Sequence, residues 1–362
     1  MVSKTTTQVE IPKKCLAGVV VYEGPNFLME IEEVDVPEPG PDDILIKLNA
    51  SGLCYSDIAL MAGEFPQRMS AFNCRTPGHE GSGVVVKLGE NVKNWKIGDR
   101  AGVKPIRSVC NACELCWDGL ENYCRNATHS GNTETGTFQH YITAPAKYTT
   151  PIPDGVSDAV AAPLMCSGQT AYGALKNAAL KSGNWVVFPG GGGGVGIQGV
   201  QIAKAMGFRP VVVDTGSQKR DFSLSRGAEA FVDFKESNNV AADVIRICDG
   251  IGAHGVAVTA APAYKNAVSY VGSRVGATIM CIGLAHEPMT VGADPSQYVF
   301  SNLTVTGTAI GTQKDALEVL DFARRGLLQD ISEARPLSML PQSVKELRAG
   351  QIPGRIVIDF NL

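Results

Sequence analysis

Residues 185–196, WVVFPGGGGGVG, restrict the fold more than any other part of the chain. An apolar run of strand character enters five consecutive glycines, and a helix-like segment, 197–206, follows at once. Gly191, Gly193 and Gly196 stand in the pattern G-x-G-x-x-G, with Gly194 and Val195 completing the turn. Glycine lets the backbone approach a pyrophosphate closely, and the N–H groups of a helix start then receive its charge. The next strand, PVVVD, ends at Asp214. A carboxylate there accepts hydrogen bonds from the adenosine ribose hydroxyls and repels a 2′-phosphate, which favours NAD over NADP. Lys219 and Arg220 are the opposing signal, since either could bind a phosphate.

Further strand-like runs follow at EAFVDF, GVAVTA, ATIMCIG and LTVTGTA, separated by helix-like stretches that include 239–248 and 262–271. Alternating β and α units predict an α/β fold with a doubly wound parallel sheet. The chain before Pro163 has a different character. AGVVVY, DILIKLNASG, GSGVVVKLG and FQHYITAP alternate with turn signals such as EPGP and GEN, which predicts an irregular, mostly antiparallel β unit. A helix over 314–326 and a closing strand, RIVIDF, end the chain. The expected division is 1–163 with 300–362 as the β-rich catalytic unit, and 164–299 as the dinucleotide-binding unit.

Ten cysteines in a chain of 362 residues without a secretion signal suggest metal ligands or free thiols rather than a disulfide framework. Cys110, Cys113, Cys116 and Cys124 form C-x2-C-x2-C-x7-C in loop-like surroundings. Four thiolates close a tetrahedral zinc site with no open position, a structural role. The run lacks the Cys-Pro ending of bacterial iron–sulfur patterns. Cys54 in GLCYSD, His79 and Glu80 in PGHEGSG, and Cys166 in PLMCSGQT are each weak signals alone. Together they offer two thiolates and an imidazole, the donor set of a three-ligand catalytic zinc whose fourth position polarises a substrate oxygen. No HExxH segment exists, so a zincin protease is excluded.

With these motifs in place, the chain resembles the zinc-containing medium-chain alcohol dehydrogenases, particularly their tetrameric microbial branch. The likeness is carried by Gly78-His79-Glu80-x-x-Gly83-x5-Gly89-x-x-Val92 with the four-cysteine run behind it, and it extends from Cys15 to Phe360. It implies a GroES-like catalytic domain joined to a Rossmann domain, two zinc ions per chain, NAD, and an alcohol and its aldehyde or ketone as substrates. It further implies that Cys54, His79 and Cys166 bind the catalytic zinc, with Glu80 beside it. Asp57 would orient His79, and Ser56 would take the substrate proton. Thr170, Gly283 and Leu284 would lie at the nicotinamide, Arg355 at the pyrophosphate, and Lys219 near the ribose. A homotetramer is the expected assembly, with a dimer second.

Two positions depart from that family's pattern. Ala59 stands where many members carry a histidine that passes the proton to solvent. Pro105 stands where the microbial branch has a second pocket aromatic, whereas Phe65 retains the first. A pocket roomier than one built for ethanol is therefore expected. The rival readings are a polyol dehydrogenase of the same superfamily, which often lacks a ligand at the position of Cys166, and a non-catalytic, zinc-stabilised NAD-binding regulator.

A net charge of −4 with no block of like charges gives no footprint for nucleic acid or acidic membranes. The polar, Thr-rich start at 1–12 has no signal-peptide core, and nothing approaches about 18 uninterrupted apolar residues. A cytoplasmic location is expected. Cys15, Cys74, Cys248 and Cys281 fit no ligand spacing, and His129, His140, His254 and His286 show no partner in sequence. All eight are read as surface or core residues.

Replacing Asp214 with glycine is expected to weaken NAD binding and raise the NADP-to-NAD ratio of kcat/KM about tenfold or more, because hydrogen bonds to a charged group contribute about 1.5–3 kcal/mol. A wild type already more efficient with NADP would show that Lys219 and Arg220 dominate.

Overall fold

Trp185–Pro189 is buried along its whole length and pairs in parallel with Arg209–Asp214 on one side and Gly255–Val258 on the other. A strand covered on both faces reads as an unbroken apolar run, which is why WVVFP does not alternate. The computed structural model describes residues 10–285, 287–350 and 352–362. Most of the polar N-terminal stretch, up to residue 9, and His286 lie outside the described residues. Six parallel strands follow the order Ala230–Asp233, Arg209–Asp214, Trp185–Pro189, Gly255–Val258, Thr278–Cys281, Thr304–Gly307. The order reverses direction between Trp185–Pro189 and Gly255–Val258. Ligands of such sheets bind outside the strand ends at that reversal, and the glycine run lies there.

Helix Gly194–Ala205 starts three residues earlier than its apolar pattern suggested, because the last glycines of the motif form its first turn. A Cβ on Gly196 would fall 2.5 Å from Gly191 Cα and 2.6 Å from Gly190 O. The third glycine of the motif therefore sets how closely helix and strand pack. The expected 262–271 helix is a 3-10 helix, Ala261–Val271, with Pro262 in its first turn. Asn239 caps Val240–Ile247, and Thr312 with Asp315 forms a capping box on Gln313–Arg324.

The expected limit of the dinucleotide unit at 299 falls short. Thr304–Gly307 is the sixth strand of the parallel sheet. Val319, Leu320, Ala323 and Leu328 bury against the same core as Val186, Phe188 and Val200. The apolar stripe of helix Gln313–Arg324 is thus covered by the parallel sheet's layer, not by the β-rich unit.

In the β-rich unit, Asp43–Leu53 is the central strand. It pairs antiparallel with Gly81–Leu88, Tyr141–Pro145 and Arg355–Asp359, so the last strand of the chain returns to complete the first unit. Two register shifts, at Leu45/Ile46 and Leu48/Ala50, bend this strand. The units are joined through Asp158–Pro163, the π-helical turn Leu164–Gly168 and Gln169–Lys176, which follow one another without a break. They are also tied by buried Lys104, which donates to Tyr148 O, to Thr150 Oγ1 and to Gln313 Oε1. Among the described residues no helix is long and apolar enough to cross a membrane.

Gly196→Ala is expected to lower stability by about 1–3 kcal/mol through overpacking against the loop backbone, read as a lower Tm in thermal denaturation. An unchanged Tm would show that the loop moves aside freely.

Candidate active site

Three segments deliver the site. Cys54 follows the strand Asp43–Leu53 and caps the helix Tyr55–Met61 in an extended conformation. Asp57, in that helix's first turn, accepts from Cys54 N at 3.0 Å with one oxygen and from His79 Nδ1 at 2.7 Å with the other. That leaves His79 Nε2 with a free lone pair directed away from the carboxylate. His79 follows Gly78, whose φ of 97° belongs to the left-handed region and whose missing Cβ makes room for Phe138. Glu80 enters the strand Gly81–Leu88. Cys166 sits in the middle of the π-helical turn Leu164–Gly168, a widened turn of the kind found at functional sites.

One donor atom each from Cys54, His79, Glu80 and Cys166 lies within 4.8 Å of the other three. Ser56 Oγ donates to Cys54 Sγ at 3.1 Å and is 3.4 Å from His79 Nε2. Glu80 Oε2 is ion-paired with Arg355, and both residues are buried. Glu80 Oε1 is buried with no partner. Burial pushes the Glu80 carboxyl up to about 7, against the pull of Arg355. A hydrogen bond from Cys166 holds the Cys54 thiol well below its usual value, and giving that bond raises Cys166. Burial opposes a charge on His79, but Asp57 outweighs it and raises the imidazole. Two thiols, an imidazole and a buried carboxylate oxygen without a partner form a donor set that suits zinc.

The second cluster is closed. Sulfur separations among Cys110, Cys113, Cys116 and Cys124 include 3.6 Å for Cys113–Cys116, 3.6 Å for Cys110–Cys124, 3.9 Å for Cys110–Cys116 and 4.0 Å for Cys113–Cys124. A tetrahedron with Zn–S bonds of about 2.3 Å has edges of about 3.8 Å. None of the ten cysteines is in a disulfide.

The remaining expected residues gather at the reversal of the parallel sheet. Gly193 caps helix Gly194–Ala205 and bridges to Gly354, and Arg355 lies across Gly194, whose missing Cβ makes the room. Gly191 approaches Phe188 O and Val212, and half-buried Val195 is in the helix's first turn. Asp214 accepts from Gly192 N at 3.0 Å, from Thr215 N at 2.9 Å and from Lys219 Nζ at 2.9 Å. Lys219 therefore neutralises Asp214, while Arg220 pairs with its neighbour Asp221 on the exposed side of helix Ser217–Ser225. Thr170 Oγ1 donates to Cys166 O at 2.7 Å, one helical turn on from that thiol. Gly283 O accepts from Tyr264 at 2.6 Å, and Leu284 is exposed.

His129 was expected to be a surface or core residue. It lies on the short strand Thr128–His129, opposite Ile106, in a segment that packs against the backbone leading into His79. Residue spacing carries no sign of this, because 50 positions separate it from His79 and the gap is closed by backbone hydrogen bonds from Gly136, Thr137 and Phe138 to Thr76, Gly78 and Pro77.

Known proteins bear on this arrangement. Residues 40–154 match the family model for the alcohol dehydrogenase GroES-like domain, and residues 194–325 match that for zinc-binding dehydrogenases. An alcohol dehydrogenase of Schizosaccharomyces pombe is 39% identical over 353 residues, 97% of this chain and 99% of that protein. Alcohol dehydrogenase 2 of Emericella nidulans is also 39% identical, with the same coverage. The chain belongs to the zinc-containing medium-chain alcohol dehydrogenase family. Among solved structures, acetophenone reductase from Geotrichum candidum in complex with NAD superposes with a TM-score of 0.81 at 25% identity, covering 97% of this chain and 99% of that one. An alcohol dehydrogenase from Aeropyrum pernix gives 0.83 at 23% identity over 95% and 99%, and shows the shared fold. The enzyme is thus an NAD- and zinc-dependent alcohol oxidoreductase with a GroES-like and a Rossmann-like part. A non-catalytic regulator is set aside.

Metal analysis of the purified enzyme is expected to find two zinc ions per chain. Cys54→Ser should lose one of them and lower kcat more than about 100-fold while keeping a near-normal Tm. Cys113→Ser should lower Tm, because a structural zinc contributes directly to folding. One zinc per chain in a fully active wild type would contradict both.

Proposed function

We propose that the enzyme interconverts an alcohol larger than ethanol with its aldehyde or ketone, using NAD, in the cleft between the two units. The reading is carried by the meeting of Cys54, His79 and Cys166 beside the Ser56 hydroxyl. Zinc held by those three residues would supply a Lewis acid with one open position, and the nicotinamide would exchange the hydride.

The protein's own part is positional. Asp57 holds His79 in one tautomer and, through Cys54 N, places the thiol at the start of the helix. Ser56 accepts the substrate's proton at Oγ. Ala59, in the buried stretch of the same helix, supplies no imidazole to carry that proton onward, so it leaves by water. Arg355 lies between Glu80 and Gly194, from where its charge reaches a pyrophosphate on the glycine turn. Thr170 packs at the nicotinamide, and Gly283 and Leu284 line its carboxamide side. The dinucleotide-binding unit runs from 164 to beyond the helix Gln313–Arg324, and the rest of the chain forms the catalytic unit.

The sheet edge Thr304–Gly307 supports a homotetramer, or failing that a dimer. Its outer side pairs with no strand among the described residues, and Val299, Phe300 and Val305 are exposed beside it. Such an edge is a surface a second copy covers. Ten cysteines outside any disulfide suit the reducing cytoplasm.

Pro105 in place of an aromatic side chain favours the larger substrate. Benzyl and longer-chain alcohols should show kcat/KM about 10-fold or more above ethanol, since apolar burial contributes roughly 25 cal/mol per Å². The check is a panel of alcohols assayed with NAD and with NADP. A clear preference for ethanol would show that other side chains refill the pocket.

A further inference from the structure

His129 is held against the active site by backbone contacts on both sides. Ile106 is its partner across the strand pair, and Ser130 N donates to Pro105 O at 2.9 Å, so the histidine borders the pocket position that proline occupies. On the other side, Gly136 N donates to Thr76 O at 2.7 Å, and Thr137 N to Gly78 O at 3.0 Å. A Cβ on Gly131 would come within 2.7 Å of Gly78 O and 2.8 Å of Gly78 N. The segment carrying His129 is thereby pressed onto the backbone that delivers His79.

The backbone of His129 is satisfied locally. Its N–H donates to Thr133 Oγ1 at 2.8 Å, and its carbonyl accepts from Glu134 N at 3.1 Å. Its ring is not. Among the described residues neither ring nitrogen has a hydrogen-bond partner, although the side chain is half-buried. Burial lowers the ring's proton affinity, which favours the neutral imidazole. A neutral imidazole has one donor and one acceptor nitrogen. A ring nitrogen without a protein partner is available to the hydrogen-bonding group of a ligand.

We propose that His129 is a specificity-determining residue, and that the preferred substrate carries a second hydrogen-bonding oxygen, a hydroxyl or carbonyl, beyond the carbon that reacts. This rests on the reading of the cleft as the alcohol site and names the substrate class more closely. A pocket that offers a hydrogen bond discriminates against the analogue that cannot make it far more strongly than an apolar wall selects for size. Pro105 leaves room for the larger substrate, and His129 gives its far end a partner.

The experiment uses matched pairs, benzyl alcohol against meta-hydroxybenzyl alcohol and n-pentanol against its terminal diol, with NAD and the zinc-loaded enzyme. For wild type, kcat/KM should favour the oxygenated member of at least one pair about 10-fold or more. His129→Leu should bring that ratio towards one, and His129→Asn should restore part of it. A merely structural role would change both members of a pair alike and leave the ratio where it was. Equal use of both members by wild type, or a ratio unmoved in His129→Leu, overturns the proposal for His129 alone. If wild type oxidises neither member of either pair, the reading of the cleft as an alcohol site falls, and this proposal with it.

Discussion

Arg355 and Glu80 bury opposite charges against each other where the closing strand, the glycine turn and the metal-binding residues meet. Removing two ions from water is unfavourable unless each finds a partner, and leaving one alone is destabilising by about 3–5 kcal/mol. This pair therefore constrains three things at once. It sets the return of Arg355–Asp359 onto Asp43–Leu53, the approach of that strand to Gly193 and Gly194, and the orientation of a carboxylate beside Cys54. Glycine at 52 and at 194 makes room for the two side chains. The partners are 275 positions apart in sequence, so the contact forms only when the β-rich unit has closed around both of its ends.

The two cysteine clusters show how similar ligands serve opposite purposes. The four-cysteine lobe takes all its donors from 15 consecutive positions, and its sulfurs already stand near tetrahedral spacing. Such a site is closed and local. Its lobe also reaches the other unit, since Glu121 accepts from Gln313 N at 2.8 Å and Asn122 donates to Ala309 O at 2.9 Å. The other cluster collects its donors from three segments, at Cys54, at His79 and Glu80, and at Cys166. Its two sulfurs lie within 4.8 Å of each other, and one carboxylate oxygen is without a partner. An unsatisfied arrangement of this kind is what a cation with an exchangeable position requires.

Asp214 shows how one side chain serves both architecture and selectivity. By accepting from Gly192 N it shapes the glycine turn, and by pairing with Lys219 it engages a cation that would otherwise be free to meet a phosphate. The sequence presented Lys219 and Asp214 as competing signals. Folding makes them a single ion pair, because one turn of helix Ser217–Ser225 carries the lysine back over the strand end.

Much of this protein was legible in its residues because the relevant physics is local. Five glycines between an apolar run and a helix suit a dinucleotide turn, and cysteines spaced by two residues suit a closed metal site. The parallel sheet could be read from alternating segments, and its strand order followed. What lay beyond reading depended on pairing between distant segments. The dinucleotide unit continues past 299 because Thr304–Gly307 finds its place beside Thr278–Cys281, a choice made by sheet register and not by composition. The union of Cys54, His79 and Cys166 was inferred from likeness, but only a bent strand, a left-handed glycine and a π turn bring their atoms together. His129 was read as a surface or core residue, since a lone histidine has no period and no partner in the chain. The residue beside it in space is decided by the antiparallel pairing of Ile106 with His129, and hydrogen bonds across strands leave no mark in the order of the amino acids.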